Sequence, residues 1–158
     1  MDAFTRANLL HIDEEYDAAA ALYDEAIALD PKSEVYIARA TNQIKRNQFE
    51  NALLDAQQAL TQQPENASAH FRAGQALFYL KKYMESQCEF EIAGKLGKDV
   101  GSWLVKCKRE LDVMEVEKKN IQRDAVVATS VNAVVNEASE TARDLSIASK
   151  IRFEANFT

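Results

Sequence analysis

Residues 16–31, YDAAAALYDEAIALDP, are echoed at 49–64 by FENALLDAQQALTQQP and at 83–98 by YMESQCEFEIAGKLGK. Tyr16, Phe49 and Tyr83 open the three stretches; Ala19, Ala52 and Ser86 follow at the same offset, as do Ala26, Ala59 and Ala93, and Pro31 and Pro64 close the first two. The aromatic-to-aromatic steps are 33 and 34 residues. Upstream of each stretch a second apolar segment carries a small residue, Ala7, Ala40 and Gly74. Small side chains on both segments let two helix backbones approach closely where they cross. Asp30-Pro31 and Gln63-Pro64 end one helix and start another, because a residue before Pro avoids the helical region and Pro suits a first helical turn. The spacing predicts helices at about 2–12, 15–28, 33–46, 49–62, 67–80 and 83–96.

A period near 34 built from two helices is the signature of a tetratricopeptide array, in which each hairpin stacks on the next. The predicted fold is all-α: three helix-turn-helix hairpins in a right-handed superhelix, a C-terminal capping helix and a linker. The predicted limits are 1–116 for the repeat domain, with repeats at about 1–32, 33–66 and 67–98 and a cap at 99–116. The cap is expected because the last hairpin of an array leaves an apolar face uncovered, and Trp103, Leu104, Cys107, Leu111 and Met114 recur there at helical spacing. Trp103 is read as packing on the third repeat. Residues 117–148, rich in Ala, Val, Ser and Thr, are read as a partly helical linker, since one weak stripe of Val127, Val131, Val134, Ala138 and Leu145 is poor evidence for a coiled coil. Residues 149–158 alternate apolar and polar, with Ile151, Phe153 and Ala155 on one side, and are read as the first strand of a β-domain cut short.

Composition agrees with a helical protein. Four Gly and two Pro among 158 residues are too few for many tight β-turns. No apolar run reaches the roughly 18 residues a membrane span needs, and Met1-Asp2 does not begin a signal peptide, so a soluble cytoplasmic protein, extending to the nucleus, is expected without membrane contact. Cys88 and Cys107 make neither a disulfide framework nor a zinc set and are read as reduced, buried thiols. A net charge of −6 argues against nucleic acid as partner. The charge is unevenly spread: residues 1–31 hold eight acids and one base, whereas 67–98 hold five bases and three acids.

The sequence shows no nucleophile–base set, no glycine-rich phosphate loop and no cofactor motif, and Gly94-Lys95-Leu96-Gly97 lacks the required glycine spacing. His11 and His70 stand alone, and Asp13-Glu14-Glu15 suits a helix start better than acid–base chemistry. A non-enzymatic protein-binding surface is therefore expected. In a right-handed array the first helices line a concave groove, which assigns partner contact to Phe4, Asn8, His11, Ile37, Thr41, Lys45, Phe71, Arg72, Gln75 and Tyr79.

Three stretches resemble one family of co-chaperones, the suppressor-of-G-two-allele-of-Skp-one (Sgt) adaptors. These are Tyr36-Ile-Ala-Arg39-Ala40 with Asn51-Ala52-Leu-Leu-Asp55-Ala56 in the second repeat, the cap Trp103-Leu104-Val105-Lys106-Cys107, and the end Lys150 to Thr158. The resemblance implies a tetratricopeptide domain followed by a CS β-sandwich. It also implies an adaptor between heat-shock protein 90, contacted through the CS domain, and SCF ubiquitin ligases and other clients. The repeats would dock Skp-one or self-associate, and the acidic first and basic third repeats suit a homodimer.

Two alternatives stand beside it. One is the front of an enzyme; the other is a clamp-type domain that grips the acidic C-terminus of a heat-shock chaperone. The clamp needs Lys and Asn from the first repeat, Asn from the second, and Lys and Arg from the third. The matching positions here are Phe4, Asn8, Ala38, Ser68 and Arg72. Two lost cations should cost several kcal/mol at roughly 1.5–3 kcal/mol per charged hydrogen bond, so binding of that peptide is not expected.

Overall fold

The computed structural model describes residues 1–155, all of its secondary structure helical. Helices α1 (Ala3–Ile12) and α2 (Tyr16–Leu29), α3 (Ser33–Lys45) and α4 (Phe49–Gln62), and α5 (Ala67–Tyr79) and α6 (Tyr83–Lys95) form three tetratricopeptide hairpins, and α7 runs from Gly101 to Ala155. Every hairpin predicted from the 34-residue period is present, with ends within a few residues.

The helix ends follow from local chemistry. Asp2 accepts from the Thr5 N–H at 2.7 Å, and Asn66 accepts from the Ser68 and Ala69 N–H groups, which caps α1 and α5. Each hairpin turn places one residue in the left-handed region: Glu14 (φ 64°), Asn47 (φ 58°) and Lys81 (φ 61°), again 33 and 34 residues apart. The N–H of that residue and of the next bond back to the helix just ended, as in Glu14 to His11 and Glu15 to Leu10. This is the paired arrangement that closes a helix C-terminus. Gly97 (φ 91°) repeats it after α6, its N–H bonding to Gly94 and that of Lys98 to Ala93.

Packing rests on the small residues. Ala7, Ala40, Ala19, Ala52 and Ser86 are fully buried. Gly74 takes the place of Ala7 and Ala40 because the Phe90 ring lies against it, 2.8 Å from where a Cβ would stand. Ser86 fits its interior position by donating to the Gly74 carbonyl at 2.8 Å. The first repeat is cored by Ala3, Ala7, Ala19, Tyr23, Ala26 and Val35. The third is cored by Phe90, Ala93, Val100 and Cys107, with Trp103 stacked on Phe90 at 5.3 Å, so α7 caps the array as expected.

Residues 1–112 form one compact unit, and the chain from Val113 forms another. In the second, residues 113–153 are all exposed. Two sequence expectations change here. Residues 117–148 are helical throughout rather than in part, and 150–155 are helix rather than strand. A helix satisfies backbone N–H and C=O groups within the segment, whereas a strand without a neighbour leaves them open. The expectation for 156–158 lies outside the described residues. No described helix is long and apolar enough to cross a membrane. Cys107 is buried as expected, but Cys88 is exposed, because it lies on the face of α6 away from Phe90 and Ala93.

Candidate protein-binding groove

The groove positions predicted from the repeat divide into those that build the fold and those that offer donors. Phe4 packs on the first core, its ring 6.3 Å from that of Tyr23. His11 donates from Nδ1 to Asn42 Oδ1 at 3.0 Å, and Asn42 donates to the Tyr16 carbonyl at 2.8 Å, which ties the first hairpin to the second. Thr41 bonds back to the Ile37 carbonyl, and Ile37 is half-buried beside it. Tyr79 stacks on Phe49 at 4.7 Å, and Phe71 meets both Phe90 and Trp103 edge-on. Lys45 is exposed.

Asn8, Arg72 and Gln75 are the remaining polar members. Asn8 Oδ1 accepts from the Tyr23 hydroxyl at 2.8 Å, which fixes the amide and leaves its nitrogen as a donor. Burial pushes the Tyr23 phenol up to about 12. Arg72 donates through Nη1 to Gln75 Oε1 at 2.7 Å; its Nε is buried and has no hydrogen-bond partner. Burial also lowers the Arg72 guanidinium from its ordinary value, the sign of a charge short of solvent and of counter-charge.

The five clamp-matching positions gain one feature that residue spacing does not reveal. Ser68 stands where a clamp has lysine, yet its hydroxyl accepts from Lys98 Nζ at 3.3 Å. Lys98 follows Gly97, and the left-handed turn at Gly97 brings the chain back beside the start of α5. A lysine absent from the expected position is thus supplied from the α6–α7 connection. Phe4 has no such replacement: its position is filled by a ring that belongs to the core.

Outside the groove, the second repeat holds an ion network that residue spacing did not single out. Arg39 donates through Nε and Nη2 to both oxygens of Asp55, at 2.8 and 2.7 Å, and through Nη1 to Asp24 at 2.6 Å. These bonds, Asp55 first, hold the Arg39 guanidinium above its ordinary range. The pair joins α3 to α4 and its third member reaches α2, so it ties the first hairpin to the second. Among the described residues no group of three His, Cys, Asp or Glu side chains is placed to hold a metal ion.

No family model matches the chain. The rice Protein SGT1 homolog (Oryza sativa subsp. japonica) is 28% identical over 148 residues, covering 89% of this chain; the chain spans 40% of that protein's length. Among solved structures, the first TPR domain of human RPAP3 superposes with a TM-score of 0.68 at 23% identity, over 72% of this chain and 92% of that one. The second TPR domain of human RPAP3, solved in complex with the HSP70 peptide SGPTIEEVD, gives 0.65 at 27% identity, over 68% of this chain and 92% of its own. Three hairpins of the required period, the capping helix and these likenesses together make residues 1–112 a tetratricopeptide-repeat domain homologous to that of SGT1.

Proposed function

We propose that the chain is the protein-docking part of a co-chaperone adaptor, holding a segment of a protein partner along the face made by α1, α3, α5 and the start of α7. The observation that carries this reading is Arg72, a half-buried cation on that face whose Nε has no partner and whose Nη1 meets only a neutral amide. An uncompensated buried charge is costly unless a ligand completes it. The similarity to the rice SGT1 homolog across most of the chain supports a finer reading, in which the larger protein links heat-shock protein 90 to an SCF ubiquitin ligase through Skp-one. Calorimetric titration of the chain with Skp-one tests it; heat of binding that disappears in Arg72→Gln is the expected result, and no heat with the wild type would reject the Skp-one assignment.

A second reading has its own support. Lys98 at Ser68, together with Asn8 and Arg72, gives three of the donors a carboxylate clamp uses, and the peptide-bound RPAP3 domain is similar in fold and sequence. Titration with a chaperone C-terminal peptide bearing a free carboxylate separates the two readings. The acidic first hairpin suits self-association as well, and sedimentation of the chain alone at low and high salt measures it.

A further inference from the structure

Three cations at the end of the array have only neutral partners. Arg72 bonds Gln75, Lys98 bonds Ser68, and Lys106 Nζ lies over the Trp103 ring, 4.4 Å from its centroid. Three cations of the first two repeats, Arg39, Arg46 and Lys32, each meet a carboxylate at 2.7 Å or less. The three are linked through two rings. Arg72 and Lys98 sit 5.4 and 5.5 Å from the Phe71 centroid, and Phe71 meets Trp103 edge-on at 6.3 Å. Lys106 lies 34 residues after Arg72, so the capping helix continues the row of groove positions Ala38 and Arg72 with a further cation.

We infer that Arg72, Lys98 and Lys106, grouped around Phe71 and Trp103, form a docking patch for an internal acidic segment of a partner protein, read through its Asp and Glu side chains rather than through a chain terminus. The inference rests on the reading that this face docks protein, and it names the chemistry of what docks. Charge complementarity selects an anionic segment, and the flanking rings favour one that carries an apolar or aromatic residue between its acids. Terminal recognition is disfavoured because the first-repeat position that would supply a lysine is occupied by Phe4, whose ring is committed to the core. Nucleic acid is disfavoured because the chain as a whole is acidic. A phosphate would call for a freely presented guanidinium fork, and Arg72 is half-buried with one nitrogen already engaged.

The test is fluorescence anisotropy of the full chain with a labelled peptide of about nine residues, Asp and Glu around one Phe, in amidated and free-acid forms, with a Gln-substituted control. The expected result is binding of the amidated and free forms within about twofold of each other and loss with the Gln control. Lys98→Gln and Lys106→Gln should each weaken binding by roughly three- to tenfold, the range for charged contacts of partial exposure. Lys106 is exposed, so its substitution does not threaten folding; circular dichroism confirms helix content for each variant. Binding that requires the free carboxylate would overturn the inference in favour of a terminal clamp. Failure of both peptides, or indifference to Lys98→Gln and Lys106→Gln, would also overturn it. The Skp-one and chaperone-peptide titrations, run in the same buffer, report separately on the proposed function: heat with either one and no binding of the acidic peptides would overturn this inference alone.

Discussion

Arg39 and Asp55 form a two-bond ion pair between α3 and α4, with Asp55 almost wholly buried and Arg39 about one-fifth exposed. Pairs of this geometry have little to give as stability relative to an apolar substitute, but much to lose when one partner is removed, because the other charge stays behind. Asp55→Ala is expected to destabilise the domain by roughly 2–4 kcal/mol. Asp24→Ala should cost under about 1 kcal/mol, since that carboxylate is mostly exposed. Urea unfolding followed by circular dichroism measures both; equal losses would mean that Asp55 does not hold the pair.

Gly74 differs from Ala7 and Ala40, its counterparts in the other repeats, by the absence of one methyl group, and the Phe90 ring occupies that space. Gly74→Ala therefore forces the ring to move in a core that also contains Trp103 and Cys107. A loss of about 1–3 kcal/mol is expected, despite the usual gain of Ala over Gly inside a helix. Pairing it with Phe90→Leu should recover part of the loss, which thermal unfolding of the single and double variants would show.

Tyr16, Phe49 and Tyr83 were enough to locate the hairpins because they recur at a fixed interval, and each recurrence is forced by the same crossing of two helices. Trp103 was legible for the same reason: a stack of hairpins has an open end, and the next apolar helical face must cover it. Lys98 was not legible as a partner of Ser68. The two are 30 residues apart, and their meeting depends on where the Gly97 turn returns the chain, which spacing within a helix cannot express. Residues 150–155 misled because alternation over six residues is too short to separate strand from helix. The continuous helix preceding them extends by one hydrogen bond per residue without a new nucleation cost. Arg39 and Asp55 lay in a stretch quoted only for its resemblance, and no spacing rule connects residues on two different helices.

Glu14 and Lys81 are L-residues in left-handed turns, where a Cβ costs roughly 1–2 kcal/mol and glycine costs little. Asn47, in the equivalent turn, is the better tolerated type. Glu14→Gly and Lys81→Gly should each stabilise the domain by up to about 1 kcal/mol, the relief of strain exceeding the added freedom of the unfolded chain. Asn47→Gly should change little. Gly97→Ala is expected to act in the opposite direction and also to displace Lys98, so its loss of stability should be accompanied by weaker binding of the acidic peptide. A Gly97→Ala variant that binds as wild type would show that Lys98 does not need the turn to reach its place.

Tyr23 connects the core of the first repeat to the groove, donating its hydroxyl proton to Asn8. Its phenol is held at about 12 by burial, above the value near 10 of an exposed tyrosine. The sign follows from proton binding: between pH 10 and 12 the unfolded chain releases this proton while the folded chain retains it, so ionisation favours unfolding. The contribution is fully present below about pH 10 and is lost as pH rises through about 12, with a magnitude of up to roughly 3 kcal/mol. Tyr23→Phe should cost about 1 kcal/mol at neutral pH through the lost hydrogen bond, yet its stability should fall less steeply above pH 10 than that of the wild type. Urea midpoints at several pH values, with tyrosinate absorbance recorded alongside, provide the comparison. Parallel curves for the two proteins would assign the alkaline loss to the other tyrosines and the lysines, and would remove Tyr23 as the residue that couples the first core to Asn8 in the groove.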